Sequence, residues 1–333
     1  MFTWNLHTRN SRRNLFCFVA CLAAAHFSGS SQAQSVAPLT PSASQSSRPI
    51  PAWQAAAGGQ MEFEVASIRP AAPGASWHSN MDFSVEDSAP PPGGILSATT
   101  TLGGLIQFAY KVLLAEEPNN EALAHQPKWA TAEYFTIRAK APIAAPTKDQ
   151  YRLMMQSLLA DRFKLAVHFE THDLPALALV MIKPGRLGPR IRPHSQGPPC
   201  DARIPPVDRS SRKVPDVWIP TCGTTQNLDW ANNAVILGSR NTTMDIFADY
   251  VYLLQTPGRP VVNQTGLAGR FDVELNFTPP WKMPKEQGTG AQLDLSGPTF
   301  LEALKNQLGL KIKPTRAKVQ TLVIDHVEQP TPN

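Results

Sequence analysis

The sequence predicts an α+β fold with two related halves, each a small mixed sheet covered by two helices. Short segments alternate apolar and polar residues as half-buried strands do, and longer segments repeat apolar residues every three or four positions as helices do. The same order of these segments occurs twice. We assign the first half to residues 61–185, the second half to residues 235–330, and an insert of different composition to residues 186–234.

The first half combines alternating strands with two amphipathic helices. The helix in "LGGLIQFAYKVLL" has Thr100 or Thr101 as its N-cap, and the helix in "TKDQYRLMMQSLLADRF" has Thr147 there. Strands are predicted in "FEVASIRP", "ILSATT", "YFTIRAK", "KLAVHF" and "PALALVMIK", and the pattern also allows a short strand in "MDFSVE". A turn near Pro175 separates the last two strands. The apolar stripe of each helix packs on the sheet.

The second half repeats this order from its first helix onward. The helix in "NTTMDIFADYVYLL" is capped by Thr242 or Thr243, and the helix in "GPTFLEALKNQLGL" begins near Pro298 and ends at Gly309. The strand "FDVELNF" lies between these helices, and "LKIKP" and "VQTLVIDHVE" follow the second one.

Apolar positions of the two halves coincide when one half is shifted onto the other. A shift of 145 places Leu159 on Leu304, Leu165 on Leu310, Val167 on Ile312, Leu177 on Leu322 and Leu179 on Ile324. Shifts of 136 and 142 place Phe135 on Phe271 and Leu102 on Met244. We interpret this agreement as an internal duplication. The alternative is chance similarity between two α+β units.

The N-terminus has the pattern of a secretory signal. Three arginines precede the apolar run "LFCFVACLAAAHF", and "SQA" offers a cleavage site after Ala33. We therefore predict a signal peptide at residues 1–33, a disordered Ser/Pro/Ala/Gln tether at 34–60, and no transmembrane segment in the mature chain. Removal of the signal lowers the formal net charge from +5 to +2, because the signal contains three arginines and no acid. That charge does not favour a nucleic-acid partner.

Two cysteines remain in the mature chain, Cys200 and Cys222, and both lie in the insert. An exported chain with two cysteines most simply forms one disulfide, which would contribute about 3 kcal/mol by restricting the unfolded chain. A zinc site is the alternative, but neither a CxxC motif nor a nearby pair of histidines supports it.

Residues with catalytic potential occur without a catalytic motif. His168 and His172 have the spacing of a zinc-binding pair but lie in a predicted strand and turn, so we assign them to the surface. Asp325 and His326 could join a serine triad, but Ser67 and Ser296 lie outside any GxSxG elbow. We read Asp161 and Arg162 as a local ion pair. Six aromatic residues could line a groove but are more typical of a core: Tyr110, Trp129, Tyr134, Tyr250, Tyr252 and Trp281. No nucleotide, redox or metal cofactor is predicted.

Several stretches together resemble the soil-associated proteins, an exported family of unknown function from soil bacteria. They are "FEVASIRP", "LIQFAY", "LLADRFKLAVHFETHDLPALALV", "GRPVVNQTGLAGRFDVELNFTP" and "FLEALKNQLGLKIKPTRAKVQTLVIDHVEQP". The resemblance implies export and carries over no catalytic residue, substrate or cofactor. The stretch "TFLEALKNQLGLKIK" is also similar to the short N-terminal domain of secretins and TonB-dependent receptors, a small periplasmic interaction module.

These observations predict an exported binding or interaction module, periplasmic or extracellular, whose partner is a protein or a small ligand. Exposed edges of small sheets could accept a partner strand through backbone hydrogen bonds. The alternative is a secreted hydrolase that acts on polymer or cell-wall material. The sequence specifies neither the ligand nor the oligomeric state.

Overall fold

The computed structural model describes residues 51–113, 119–200, 222–229, 234–255, 259–279 and 297–330. The predicted signal peptide, residues 34–50 of the predicted tether, Ser296 and Trp281 lie outside these ranges. The helices of the described residues are α1 (Ala52–Ala56), α2 (Leu102–Tyr110), α3 (Asn119–Ala124), α4 (Lys128–Ala132), α5 (Lys148–Arg162), α6 (Met244–Gln255) and α7 (Phe300–Ala303). Helix α1 lies in the C-terminal part of the predicted tether.

The described strands are β1 (Val65–Pro70), β2 (His78–Ser79), β3 (Ile95–Thr101), β4 (Tyr134–Lys140), β5 (Ala166–Met181), β6 (Ile191–Pro193), β7 (Gln226–Asp229), β8 (Val235–Thr242), β9 (Val261–Asn263), β10 (Phe271–Phe277) and β11 (Leu310–His326). They form two sheets of four strands and one of three. The predicted α+β class is confirmed.

Sheet 1, with the strand order β1-β4-β3-β2, builds the first core together with α2 and α5. All of its neighbouring strands are antiparallel. Phe135, Ile137 and Ala139 of β4 share one hydrophobic cluster with the apolar residues of both helices. The hydroxyls of Thr101 and Thr147 accept backbone N–H bonds at the helix starts, as predicted for N-caps.

Sheet 2, with the strand order β6-β10-β8-β7, builds the second core together with α6 and α7. Its neighbouring strands are also antiparallel. Helix α7 continues as a π-helical segment over Leu304–Leu308 and ends at Gly309, whose φ of 71° fits the predicted C-cap. Thr299 caps α7 through a capping box, so Pro298 precedes the cap.

Several strand assignments differ from the predictions. The segment 81–86 is a loop, because the carboxylate of Asp82 binds the backbone N–H of Ser84 and holds a turn. Strands β6 and β7 lie within the predicted insert, so sheet 2 takes both of its edges from that segment. Strand β8 was not predicted, because its second part contains Ser239 and Arg240 and reads as a polar loop.

Sheet 3, with the order β11-β5-β9, contains the largest difference. The prediction placed a turn near Pro175, but β5 is continuous and pairs with β11 from Ala166 to Met181. Prolines are tolerated here because of their orientation. The N–H of Leu177 and the C=O of Leu179 form hydrogen bonds on the β9 side of β5. Odd-numbered residues of β5 therefore direct their backbone groups away from β11. Their partners on β11 have even numbers and direct their backbone groups away from β5. Pro175 and Pro314 therefore lack an N–H only on the outer edges.

The long β5–β11 ribbon connects the two cores. Strand β5 packs Val167 against the first core and buries Leu177 and Leu179 in the second. Strand β11 does the reverse, because Leu310 lies in the second core and Leu322 in the first. Each half therefore contributes its last strand to both cores.

The ribbon pairs Asp173 with Lys318, residues that are 145 positions apart. This is the shift at which the apolar positions of the two halves coincide, and sheets 1 and 2 also have corresponding strand orders. The duplication itself stays a prediction.

Candidate functional site

Charged side chains are buried on the outer face of sheet 2, the face opposite the second core. Residues alternate between the two faces of a strand, so Phe271 and Val273 of β10 point into the core while Asp272 and Glu274 point away from it. Asp272 is 0 % exposed and Glu274 is 2 % exposed. Because an unpaired buried charge is costly, each of these groups needs close partners.

Asp272 is the most completely bonded of these groups. Its Oδ1 lies 2.6 Å from Nδ1 of His194 and accepts the backbone N–H of Asn241 at 3.2 Å. Its Oδ2 accepts a hydrogen bond from Nε of Arg192 at 3.2 Å. Glu274 forms a separate ion pair with Arg190 at 3.0 Å. These contacts attach the 190–194 segment to the centre of sheet 2.

The start of the disulfide loop lies on the same face. Fully buried Arg240 of β8 donates hydrogen bonds through Nη2 to the carbonyls of Pro198 and Pro199. The structure contains the predicted disulfide between Cys200 and Cys222, with the two Cα atoms 5.7 Å apart. On the other side of the loop, the N–H of Gly223 bonds to the carbonyl of Arg240 at 2.8 Å. Residues 201–221 of the loop lie outside the described residues.

A histidine lies beside the disulfide, and sequence reasoning missed it. Nε2 of His194 is 3.8 Å from Sγ of Cys200, and its ligand atom and both sulfur atoms lie within 4.8 Å of one another. The sequence does not favour the zinc alternative because no histidine pair accompanies the cysteines. One histidine lies six residues before Cys200, and that spacing was the available signal.

The segment Cys222–Thr225 also contacts the first half. The carbonyl of Gly223 accepts the N–H of Asp87 at 2.9 Å. The buried carboxylate of Glu86 accepts hydrogen bonds from the hydroxyl of Thr224 and from the N–H of Thr225. Nη2 of Arg270 lies 3.0 Å from Oδ2 of Asp87. Polar contacts therefore join sheet 2 to the 82–88 loop of the first half.

Two buried cations at the start of α5 hold the 82–88 loop. Nη2 of Arg152 donates to the carbonyls of Glu86 at 2.7 Å and Ser84 at 3.0 Å. Nζ of Lys148 lies 3.0 Å from a carboxylate oxygen of Asp82. Burial lowers the pKa of Lys148, and the nearby Arg152 acts in the same direction. Burial alone would raise the pKa of Asp82, but Lys148 and the hydrogen bonds from Ser84 hold it below its ordinary value.

The other predicted candidates lie apart from this region. On the ribbon, His168 lies 2.9 Å from Asp325 and 3.1 Å from Glu170, and His172 pairs with Glu170. Ser67 lies on β1 and pairs with Arg138 of β4, whereas Asp325 and His326 at the end of β11 bond to His168 and Glu328.

The ion pair between Asp161 and Arg162 is present at 3.0 Å. Tyr252 is buried, and Tyr110 and Trp129 pack against the first core, which agrees with the core interpretation of the aromatic residues.

The outer edge of β11 is the second candidate region. Within the described residues β11 is the terminal strand of sheet 3, with β5 on one side only. Its backbone groups at even-numbered positions point outward, and from Leu310 to Ile324 the strand has cations but no acidic residue. The exposed cations are Lys313, Arg316 and Lys318. A cleft at the start of the strand is lined by three more, Lys183, Arg186 and Lys305. We call this strand edge and cleft the basic edge.

The structure thus defines a disulfide-containing α+β protein with two four-stranded sheets joined by a long two-stranded ribbon. The chain belongs to the family described as "Protein of unknown function (DUF3738)", whose model matches residues 103–327. No curated protein and no solved structure gives a significant match. None of the helices in the described ranges is both long enough and apolar enough to cross a membrane.

Proposed function

We propose that this chain is an exported binding module whose basic edge accepts an extended, acidic polypeptide segment. The observation that supports this proposal most directly is the coincidence of a terminal strand with a run of cations on the same edge. The terminal strand offers backbone hydrogen bonds to a new strand, and the cations select a partner of opposite charge.

The backbone geometry of β11 suits the addition of one strand. Ile312, Arg316, Lys318 and Gln320 direct both N–H and C=O outward, and Pro314 directs a C=O only. A partner strand would therefore meet a regular ladder with one missing donor. Lys311 and Lys313 point to one face of the sheet and Arg316 and Lys318 to the other, so acidic side chains of the partner would meet two cations on either face.

The same charges disfavour pairing of β11 with a second β11. Lysine and proline on an edge strand protect sheets against self-association, because lysines repel one another when two such strands approach and proline lacks an N–H donor. Among these cations, Arg316 forms an ion pair with Asp173. Its Nε lies 3.1 Å from the carboxylate of Asp173, and its Nη2 lies 2.7 Å from the backbone carbonyl of Asp173. Lys311, Lys313 and Lys318 keep the edge positive. Repulsion of copies and attraction of acidic segments are thus two effects of one charge pattern.

Binding of alternating peptides tests this proposal. The purified, oxidised chain is titrated against a labelled Val-Glu repeat peptide, and fluorescence anisotropy is compared with that of a Val-Lys repeat. We expect binding of the Val-Glu peptide alone, weaker at high salt. N-methylation of alternate amides should abolish binding, because the ladder would be lost. The triple variant Lys311→Glu, Lys313→Glu and Lys318→Glu should weaken binding at least tenfold, whereas Lys128→Glu on α4 should leave it unchanged.

Two results would overturn the edge proposal. One is equal binding of the Val-Glu and Val-Lys peptides. The other is full binding of the N-methylated peptide, which would show that charge attraction alone holds the peptide on the surface.

Export is a separate part of the proposal. It is supported by the arginine-rich, apolar N-terminus and by a disulfide, a bond that persists in oxidising compartments. Expression of the full chain followed by fractionation and N-terminal sequencing is the test. We expect a product that begins at Gln34 outside the cytoplasm, and a chain that lacks residues 1–33 should stay inside. An intact N-terminus on a cytoplasmic chain would contradict export.

A further inference from the structure

We propose that reduction of the Cys200–Cys222 disulfide creates a zinc site formed by both sulfur atoms and by Nε2 of His194. This inference is independent of the basic edge, which lies on a different strand and sheet. It gives the outer face of sheet 2 two chemical states, a disulfide and a metal-binding dithiol. Neither state requires the second core to rearrange.

The ligand atoms are already close to the spacing that zinc needs. In a tetrahedral site with Zn–S of about 2.3 Å and Zn–N of about 2.0 Å, neighbouring ligand atoms are roughly 3.5–3.8 Å apart. Nε2 of His194 lies 3.8 Å from Sγ of Cys200, and all three ligand atoms lie within 4.8 Å of one another. After reduction the two sulfur atoms, which are bonded in the disulfide, need to move apart to about 3.8 Å. Cys200 is exposed and Cys222 is partly exposed, so side-chain rotation can supply this movement.

The histidine is held in the orientation that metal binding requires. Its Nδ1 lies 2.6 Å from the carboxylate of Asp272, which is itself fully buried and fixed by Arg192 and the N–H of Asn241. A neutral histidine that donates Nδ1–H to this carboxylate presents the lone pair of Nε2 to the sulfur atoms. A carboxylate that orients a histidine from behind is a common arrangement at protein zinc sites. Asp272 is thus a positioning residue.

The conversion balances in two steps. A dithiol reductant attacks the disulfide, becomes a disulfide itself, and leaves Cys200 and Cys222 as thiols. Zinc then replaces one proton on each sulfur, and the two protons pass to the solvent. Neutral His194 supplies the third ligand without loss of a proton. The fourth coordination position is open to water.

Cobalt provides a spectroscopic test on the full chain. The chain is reduced with excess dithiol, freed of reductant without oxygen and titrated with Co²⁺, which gives a thiolate-to-cobalt absorption band only when sulfur binds the ion. We expect the band to saturate at one equivalent, to disappear on addition of Zn²⁺, and to be absent from the oxidised chain. His194→Ala should weaken Zn²⁺ binding at least tenfold. Asp272→Asn should weaken it roughly 10–100-fold. His78→Ala on β2 is the matched control and should have no effect.

Thermal unfolding separates binding by the folded chain from binding by an unfolded one. Zn²⁺ should raise the Tm of the reduced chain, because a ligand that binds only the native state stabilises it. The rise should be lost in His194→Ala and kept in His78→Ala. The proposal is overturned if the reduced chain shows no thiolate band, if His194→Ala binds Zn²⁺ as tightly as the unaltered chain, or if Zn²⁺ lowers the Tm.

Discussion

Sheets 1 and 2 have corresponding strand orders, yet their outer faces differ completely. On sheet 1, the central strand β4 exposes Arg138 and Lys140 to solvent. On sheet 2, the corresponding strand β10 buries Asp272 and Glu274. The inner faces of both strands are apolar and buried. The inner face is therefore alike in the two sheets. The outer face differs and determines what each half contacts.

The difference arises from the segments around the disulfide. Pro198 and Pro199 lie against Arg240, and the 190–194 segment supplies cations to both buried carboxylates. Pro198 and Pro199 belong to the segment that leads into the disulfide loop, and Arg190, Arg192 and His194 lie on or beside β6. The outer face of sheet 2 thus holds buried charges on its central strand, whereas the central strand of sheet 1 presents charges that water already solvates.

Removal of one charge from each outer face should give the largest contrast. Asp272→Ala leaves His194, Arg192 and the N–H of Asn241 without their acceptor, so we expect a loss of about 3–5 kcal/mol in the free energy of unfolding. Arg138→Ala removes an exposed charge from the corresponding sheet and should change that free energy by no more than about 0.5 kcal/mol. Urea unfolding of the oxidised proteins measures both. Similar losses in the two variants would show that the two faces are energetically alike.

A smaller effect on the free energy of unfolding is expected at the helix caps, which are alike in the two halves. Thr147 and Thr299 each cap the second helix of their half through a complete capping box. Thr147→Ala and Thr299→Ala should each cost about 1 kcal/mol in the free energy of unfolding, because each leaves helix N–H groups without an acceptor. Urea unfolding at neutral pH compares the two, with Thr131→Ala on α4 as a control outside any cap. A twofold difference between the cap variants would contradict equivalent roles.

Much of the apolar architecture could be predicted from sequence. Thr147 followed by Gln150 marks a helix start, and Phe135, Ile137 and Ala139 mark a half-buried strand, because these signals lie within a few residues of each other. Strand β8 escaped prediction because its polar part is buried by residues distant in sequence. Arg240 bonds to carbonyls 41 and 42 positions away. A local pattern carries no information about such partners.

The continuous ribbon and the cluster around Cys200 were not predicted from the sequence for the same reason. Pro175 by itself predicts a turn. In the folded chain its nitrogen faces away from β11, so the β5–β11 ladder continues past it without an N–H at that position. His194 reads as an isolated surface residue until Asp272, 78 positions later, lies behind it. The fold class, caps and cores thus follow from local periodicity. The continuous ribbon and the cluster around Cys200 depend on pairing across long separations.

Acid should weaken the contact between Asp87 and the cations of both halves. The carboxylate of Asp87 lies 3.0 Å from Nζ of Lys111 in the first half and 3.0 Å from Nη2 of Arg270 in the second half. Burial acts to raise the pKa of Asp87, but Lys111 and Arg270 outweigh it and hold that pKa below its ordinary value. A carboxylate whose pKa is lower in the folded chain than in the unfolded chain stabilises the fold above the unfolded pKa of about 3.9, and this contribution is lost as pH falls through the folded pKa.

Asp87→Asn should therefore be less stable than the unaltered chain at neutral pH, and the difference should shrink as pH falls below about 4. Urea unfolding across this pH range measures the difference, and Lys111→Met, which removes one of the cations around Asp87, should show a smaller difference that also shrinks. A difference that stays constant down to about pH 3 would mean that Asp87 acts through its shape and hydrogen bonds rather than its charge. The contact between the halves would then depend on hydrogen bonds of residue 87 and not on its negative charge.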